Sequence, residues 1–160
     1  MAAQPDSHRL DLFGSFLRAH AQIYEALNRD LLAERGISLP WYEVLLQLAS
    51  APESKLRLQD LAERVLYSRS GLTRLIDRME SAGLVKRQPC SHDKRGTFAS
   101  LTPDGSREFR RAAPTHLRGI EEYFFRHLSE PEAEQLGQTM EHLLSARADA
   151  TDGREAAAAR

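Results

Sequence analysis

The sequence predicts a mainly α-helical chain that carries one small β-hairpin. Three observations lead there. Apolar residues recur in steps of three and four over most of the 160 residues, the rhythm of amphipathic helices. That rhythm breaks between Gly83 and Thr102 into LVKRQPC and TFASLT, two strand-like runs joined by SHDKRG. Capping residues stand where the helical rhythm starts and stops.

The first helix is read from Leu10, Phe13, Leu17, His20, Tyr24, Leu27 and Leu31, a single apolar seam that Gly36 ends. After Pro40, WYEVLLQLAS predicts a second, short and mostly buried helix, closed by a turn at 51–54. Leu58, Leu61, Ala62, Val65 and Leu66 share one face of a third. Ser68 then caps a fourth, because its hydroxyl can accept from the free N–H groups of the first turn. In that helix, from about Arg69 to Ala82, Leu72, Leu75, Ile76 and Met79 form the core stripe. Ser70, Thr73, Arg74, Asp77 and Ser81 lie opposite, flanked by Arg69 and Arg78. Gly83 suits a left-handed stop.

Beyond the hairpin, Thr102, Pro103 and Asp104 open a fifth helix. Its apolar face is read as Phe109, Ala113, Leu117, Ile120 and Phe124, with Pro114 expected to kink it. A sixth helix follows Pro131, with Ala133, Leu136, Met140, Leu143 and Leu144 on one side. The segment 148–160 has little to bury and reads as a disordered tail.

Composition excludes several classes. Charged residues at 28% and hydrophobic ones at 41% are globular values. No apolar run approaches the ~18 residues of a membrane span, and the start lacks the layout of a signal peptide. A single cysteine gives no internal disulfide and fits a reducing cytoplasm. The six histidines are scattered without metal-ligand spacing, so no metal is expected. Neither a phosphate-binding glycine loop nor a nucleophile elbow is present, so neither a cofactor nor an enzymatic activity is expected.

The net charge is −1, but its distribution is uneven. Between Arg64 and Arg95 eight basic residues face three acidic ones, a local charge of +5 that leaves −6 for the remainder. A basic segment in an acidic chain is the electrostatic footprint of nucleic-acid binding if it folds onto one face.

Two short helices joined by a tight turn, the second polar and basic outside, make a helix-turn-helix. A hairpin tipped with Lys94 and Arg95 makes it a winged helix-turn-helix. The DNA-contacting set is then Ser68, Arg69, Ser70, Thr73, Arg74 and Arg78 for the major groove, and Lys94 and Arg95 for the minor groove. Asp93 is placed to orient Arg95 through a charge-assisted hydrogen bond. Arg78, near the helix end, is read as pairing with Asp77 or Glu80 or as touching phosphate.

The run LQDLAERVLYSRSGLTRLIDRMESAGLVKRQPCSHDKRGTFASLTPDG, 58–105, resembles the MarR (multiple-antibiotic-resistance regulator) family of bacterial and archaeal winged-helix regulators. Asp93 and Arg95, followed by Leu101 and Thr102, match the family's wing. The resemblance implies a homodimer whose terminal helices interlock, and surplus apolar seams on the first, fifth and sixth helices point the same way. It implies one domain over 1–150, with dimerisation helices at 8–35 and 103–147. The DNA-binding lobe would span 37–102, with its wing at 84–102. Two-fold symmetry predicts a pseudo-palindromic operator.

The resemblance further implies a small-molecule effector, bound between the helical region and the lobe, that releases a repressor from DNA. His20, Tyr24, Trp41, Tyr42 and Glu43 are the candidate ligand contacts, each also explicable as packing. Two alternatives stand beside this reading. One is a winged helix used only for protein contact. The other is a redox sensor acting through Cys90, which lacks an evident activating environment apart from His92.

Overall fold

The computed structural model describes residues 6–65, 67–89 and 96–158, with side chains as far as 146. Six α-helices and a small sheet follow in the order α1 (Ser7–Arg35), α2 (Leu39–Ala49), β1 (Lys55–Arg57), α3 (Leu58–Arg64), α4 (Arg69–Ser81), β2 (Val85–Pro89), β3 (Thr97–Leu101), α5 (Pro103–Tyr123) and α6 (Glu130–Ala158). The mainly α fold with a winged hairpin is the one the sequence predicts. The chain divides into two compact units, one as far as Ile120 and one from Glu121, so the division falls inside α5.

In the first unit the core is built from α2, α3, α4 and the sheet. Leu39, Val44, Leu45 and Leu48 of α2 are buried with Leu61 and Ala62 of α3 and with Leu72, Leu75, Ile76 and Met79 of α4. From the sheet come Leu56, Val85 and Ala99. Only the C-terminal half of α1 joins this core, through Leu27 and Leu31. The Asn28 side chain accepts from the Leu39 N–H at 2.9 Å. That satisfies one of the orphan donors at the start of α2 and fixes the corner between the two helices.

The sheet has three strands in the order β1-β3-β2, all antiparallel. The sequence predicts only the hairpin. Lys-Leu-Arg at 55–57 is too short to show an alternation, and it becomes a strand only because β3 is there to pair with it. It follows a 3-10 turn at Pro52–Ser54 in which Glu53 and Ser54 have positive φ.

The buried face of α5 also departs from expectation. Gly105, Ala112, Thr115 and Gly119 are buried, whereas Leu117 is exposed. Small residues let the helix approach its neighbours closely; Phe109 packs against Tyr42, whereas Leu117 is left exposed. The helix runs unbroken through Pro114. Glu34, near the end of α1, accepts from the buried Thr115 hydroxyl at 2.8 Å and pairs with Arg118 at 2.6 Å. Arg35 donates to the same hydroxyl at 3.1 Å.

In the second unit, Ser129 donates from its backbone and its hydroxyl to Glu132, at 2.8 and 2.7 Å, which forms one half of a capping box for α6. Residues 148–158 continue α6 where the sequence predicts a disordered tail. Alanine has the highest intrinsic helix propensity.

Candidate nucleic-acid interface

The fourth helix is presented by its cap. The Ser68 hydroxyl accepts from the Gly71 N–H at 3.1 Å, so α4 starts at Arg69. The buried stripe is the predicted one, Leu72, Leu75, Ile76 and Met79. Ser68, Arg69, Ser70, Thr73, Arg74 and Arg78 are therefore all exposed, on the opposite side and at the N-terminal end. The Thr73 hydroxyl donates back to the Arg69 carbonyl at 2.8 Å. Leu58, Gln59, Arg69, Leu72 and Thr73 line an open cleft between α3 and the start of α4. Gln59 is thus a polar group beside this surface that the linear pattern did not single out.

The acids on α4 are engaged by a residue from another element. Arg87 of β2 pairs with Asp77 at 2.6 Å and with Glu80 at 2.6 Å. Its backbone N–H also donates to Glu80 at 2.9 Å. That backbone donor, then the guanidinium, hold the Glu80 carboxyl below its ordinary range. Arg78, read as pairing with Asp77 or Glu80 or as touching phosphate, makes no ion pair among the described residues, and neither do Arg69 and Arg74. Arg87 reaches both acids because β2 runs back along the helix from Gly83, which turns the chain at φ +73°.

The base of the hairpin is fixed by one threonine. Thr102 donates to the Gly83 carbonyl at 2.6 Å and to the Leu84 carbonyl at 3.0 Å, and accepts from the Gly105 N–H at 3.0 Å. It is both the predicted cap of α5 and the clasp of the hairpin. Gly105 lies against Leu84 so closely that a Cβ would stand 2.0 Å from the Leu84 carbonyl oxygen. On the face of the sheet away from the helices, Lys55 and Arg57 lie over the Phe98 ring at 5.8 and 5.6 Å. The wing-tip residues Asp93, Lys94 and Arg95, like Cys90 and His92, lie outside the described residues.

The expected ligand residues do not form one group. His20 stands 6.1 Å from Tyr24, ring to ring, but is itself exposed. Burial pushes the Tyr24 hydroxyl far up, reinforced by the Glu43 carboxylate and by Tyr67, with which it hydrogen-bonds. Burial also raises the Glu43 carboxyl. Tyr42 turns the other way and is buried against Phe109 at 5.7 Å and His116 at 4.3 Å. Adjacent helical positions diverge by about 100°, which explains why Tyr42 and Glu43 part. Trp41 is partly exposed. Tyr67, one residue before the cap of α4, is the member the sequence reading missed. Its only sequence signal was its place in the turn.

Among the described residues no group of His, Cys, Asp and Glu could hold a metal ion. No helix there is long and apolar enough to cross a membrane.

A helix-turn-helix whose second helix is capped and basic, followed by a hairpin, is the architecture of winged-helix DNA-binding transcription regulators. The sequence profile of the MarR family matches residues 35–96. The regulator YkoM of Bacillus subtilis is 31% identical over 127 residues, 79% of this chain and 80% of its own length. The chain belongs to the MarR family, whose members are transcription regulators rather than enzymes. YfiV of the same organism is 35% identical over 74 residues, 46% of this chain, and the match spans less than half of YfiV, 45%. The Streptomyces coelicolor MarR regulator Sco3205, solved in complex with DNA, superposes with a TM-score of 0.85 and 29% identity over 91% of each chain.

Proposed function

We propose that the protein is a homodimeric repressor that reads a pseudo-palindromic operator and is released from it by a small molecule. Cytoplasmic DNA is its target. The observation that carries the reading is the set of exposed arginines on α4, Arg69, Arg74 and Arg78, none paired among the described residues. Arginines left free on a rigid helix are available to guanine edges and phosphates. Ser68 and Ser70 supply further donors, Thr73, whose proton goes to the Arg69 carbonyl, supplies an acceptor, and Lys94 and Arg95 enter the minor groove with Asp93 orienting Arg95. That the similar Sco3205 was solved in complex with DNA supports the DNA-binding reading.

Dimerisation is supported by apolar side chains that each unit leaves exposed. Leu10, Leu12, Phe13, Phe16 and Leu17 line the N-terminal half of α1, and Leu143 and Leu144 lie on α6. The dimerisation helices are then 8–35 and 103–147, with 37–102 as the DNA-binding lobe. Effector control is supported by Tyr24, Glu43 and Tyr67. They join α1, α2 and the turn before α4, so a ligand that alters them acts on the helix that reads DNA. His20 stands beside Tyr24 and Trp41 is partly exposed, whereas Tyr42 belongs to the core.

The test is selection of bound duplexes from a random DNA pool. The expected product is an inverted repeat with half-sites one helical turn apart, roughly 34 Å. Phenolic and carboxylate compounds are then added while Trp41 fluorescence and operator affinity are followed. Failure to enrich any sequence would remove the DNA reading, and a panel that moves neither signal would remove the effector.

A further inference from the structure

The outward surface of α4 is not purely basic. Asp77 lies one turn beyond Thr73, beside Arg74 and Arg78, and Glu80 follows within the next turn. Carboxylates on a surface that meets phosphate oppose binding, since like charges brought together weaken association. Both acids are held by one guanidinium that comes from beneath them. Arg87 is less exposed than either, at 26% against 56% for Asp77 and 38% for Glu80. Its backbone is fixed in the sheet opposite Ala99, on the face that Val85 and Leu56 bury against the helices. One Nη reaches Glu80. The other reaches Asp77 and, at 3.3 Å, the Thr73 carbonyl. Its backbone N–H completes the set on Glu80.

We propose that Arg87 is a positioning residue for DNA reading: it draws the Asp77 and Glu80 carboxylates away from the phosphates and ties the first wing strand to the recognition helix. This rests on the DNA-binding reading above. Arg87 therefore differs in kind from Arg69, Arg74 and Arg78. Its charge is matched inside the protein, and its effect on DNA passes through the two acids and through the angle between helix and wing.

The experiment uses the full chain and the duplex that the unsubstituted protein selects from a random pool. Affinity is measured across a salt series for Arg87→Met, for Asp77→Asn with Glu80→Gln, and for all three changes together. Arg87→Met is expected to weaken binding about tenfold or more, as the uncovered carboxylates meet phosphate. In the Asp77→Asn, Glu80→Gln background the same Arg87→Met change should shrink to under about threefold, the non-additivity of coupled residues. A loss of equal size in both backgrounds, with a salt slope lower by about two per dimer, would mean that Arg87 touches phosphate directly and would overturn the proposal. Circular dichroism and melting check folding. If Arg87→Met does not fold, Arg87→Lys replaces it, since an ammonium cannot fork to both acids. Its loss should then be recovered by Glu80→Gln, and no loss or no recovery overturns the proposal. If the unsubstituted protein selects no duplex, the DNA reading itself fails, an outcome separate from any variant.

Discussion

Gly105 has no freedom to be anything else. A methyl group there would sit 2.0 Å from the Leu84 carbonyl oxygen, a backbone atom that cannot swing aside. Gly105→Ala should push α5 from the wing base and cost at least ~2 kcal/mol, seen as a melting point lower by roughly 5 °C or more. An unchanged melting point would show that α5 shifts freely at this corner. The same scale shows what was legible in the chain. Ser68, Gly83 and Thr102 could be read directly, because caps and left-handed stops act on neighbours in sequence. Asn28 on the Leu39 N–H and Arg87 on two acids of α4 could not be read, since both partners come from other elements. Arg87 counts as one more basic residue in the sequence, and only the fold places its charge against Asp77 and Glu80.

Elements with a strong one-sided pattern were legible to within a residue or two. The core stripe of α4 is the predicted one, because its four apolar residues leave one face to choose from. The burial of α5 was not legible, since glycine and threonine carry no apolar signal and alanine only a weak one, and they still line its contact face. For α1 the pattern predicts more apolar surface than its own unit covers. Leu17 is 49% exposed in the single chain and Leu143 of α6 is 58% exposed. Leu17→Asp or Leu143→Asp would be nearly harmless in a monomer. In a dimer built on these helices, either should cost ~3 kcal/mol or more of association by burying an unpaired carboxylate. Sedimentation at micromolar concentration checks this, and a wild-type profile from both variants would refute that interface.

The joint between α1 and α2 also makes a statement about pH. The Glu43 carboxyl is raised by burial, so the folded state disfavours its ionised form. A carboxyl raised on folding contributes stability that is full below its unfolded value and is lost as pH rises through the folded one. Glu43→Gln should therefore raise the melting temperature at pH 7 and leave it nearly unchanged at pH 4. Glu34, Glu80 and Glu132 act in the opposite sense. Arg118 lowers Glu34, the Arg87 backbone N–H lowers Glu80 and Ser129 lowers Glu132. Their stabilisation is present above the usual carboxylate range and lost as pH falls below it. A pH 7 melting temperature for Glu43→Gln at or below that of the parent would show that the Glu43 charge is stabilised in the fold.

At the scale of the whole molecule, what matters is where charge lies. On the proposed reading, a chain of net charge −1 would meet DNA through the basic segment between Arg64 and Arg95. A two-fold dimer presents each of them twice, so one substitution removes two contacts. The two reading elements should then fail differently. Arg74, exposed on the outward face of α4, is proposed to meet a base edge in the major groove. Arg74→Ala should cost roughly 2 to 6 kcal/mol per dimer and relax preference at defined half-site positions. Arg95, in the wing, is proposed to follow the width and potential of the minor groove. Arg95→Ala should weaken all sequences more evenly, lower the salt slope by about two per dimer, and matter most on A·T-rich flanks. Asp93→Ala should partly reproduce it, because the proposed work of Asp93 is to aim Arg95. Operator binding across a salt series for the three variants decides the matter. Unchanged affinity and slope in Arg95→Ala would mean that the hairpin reads no DNA, and would turn attention to protein partners for the wing.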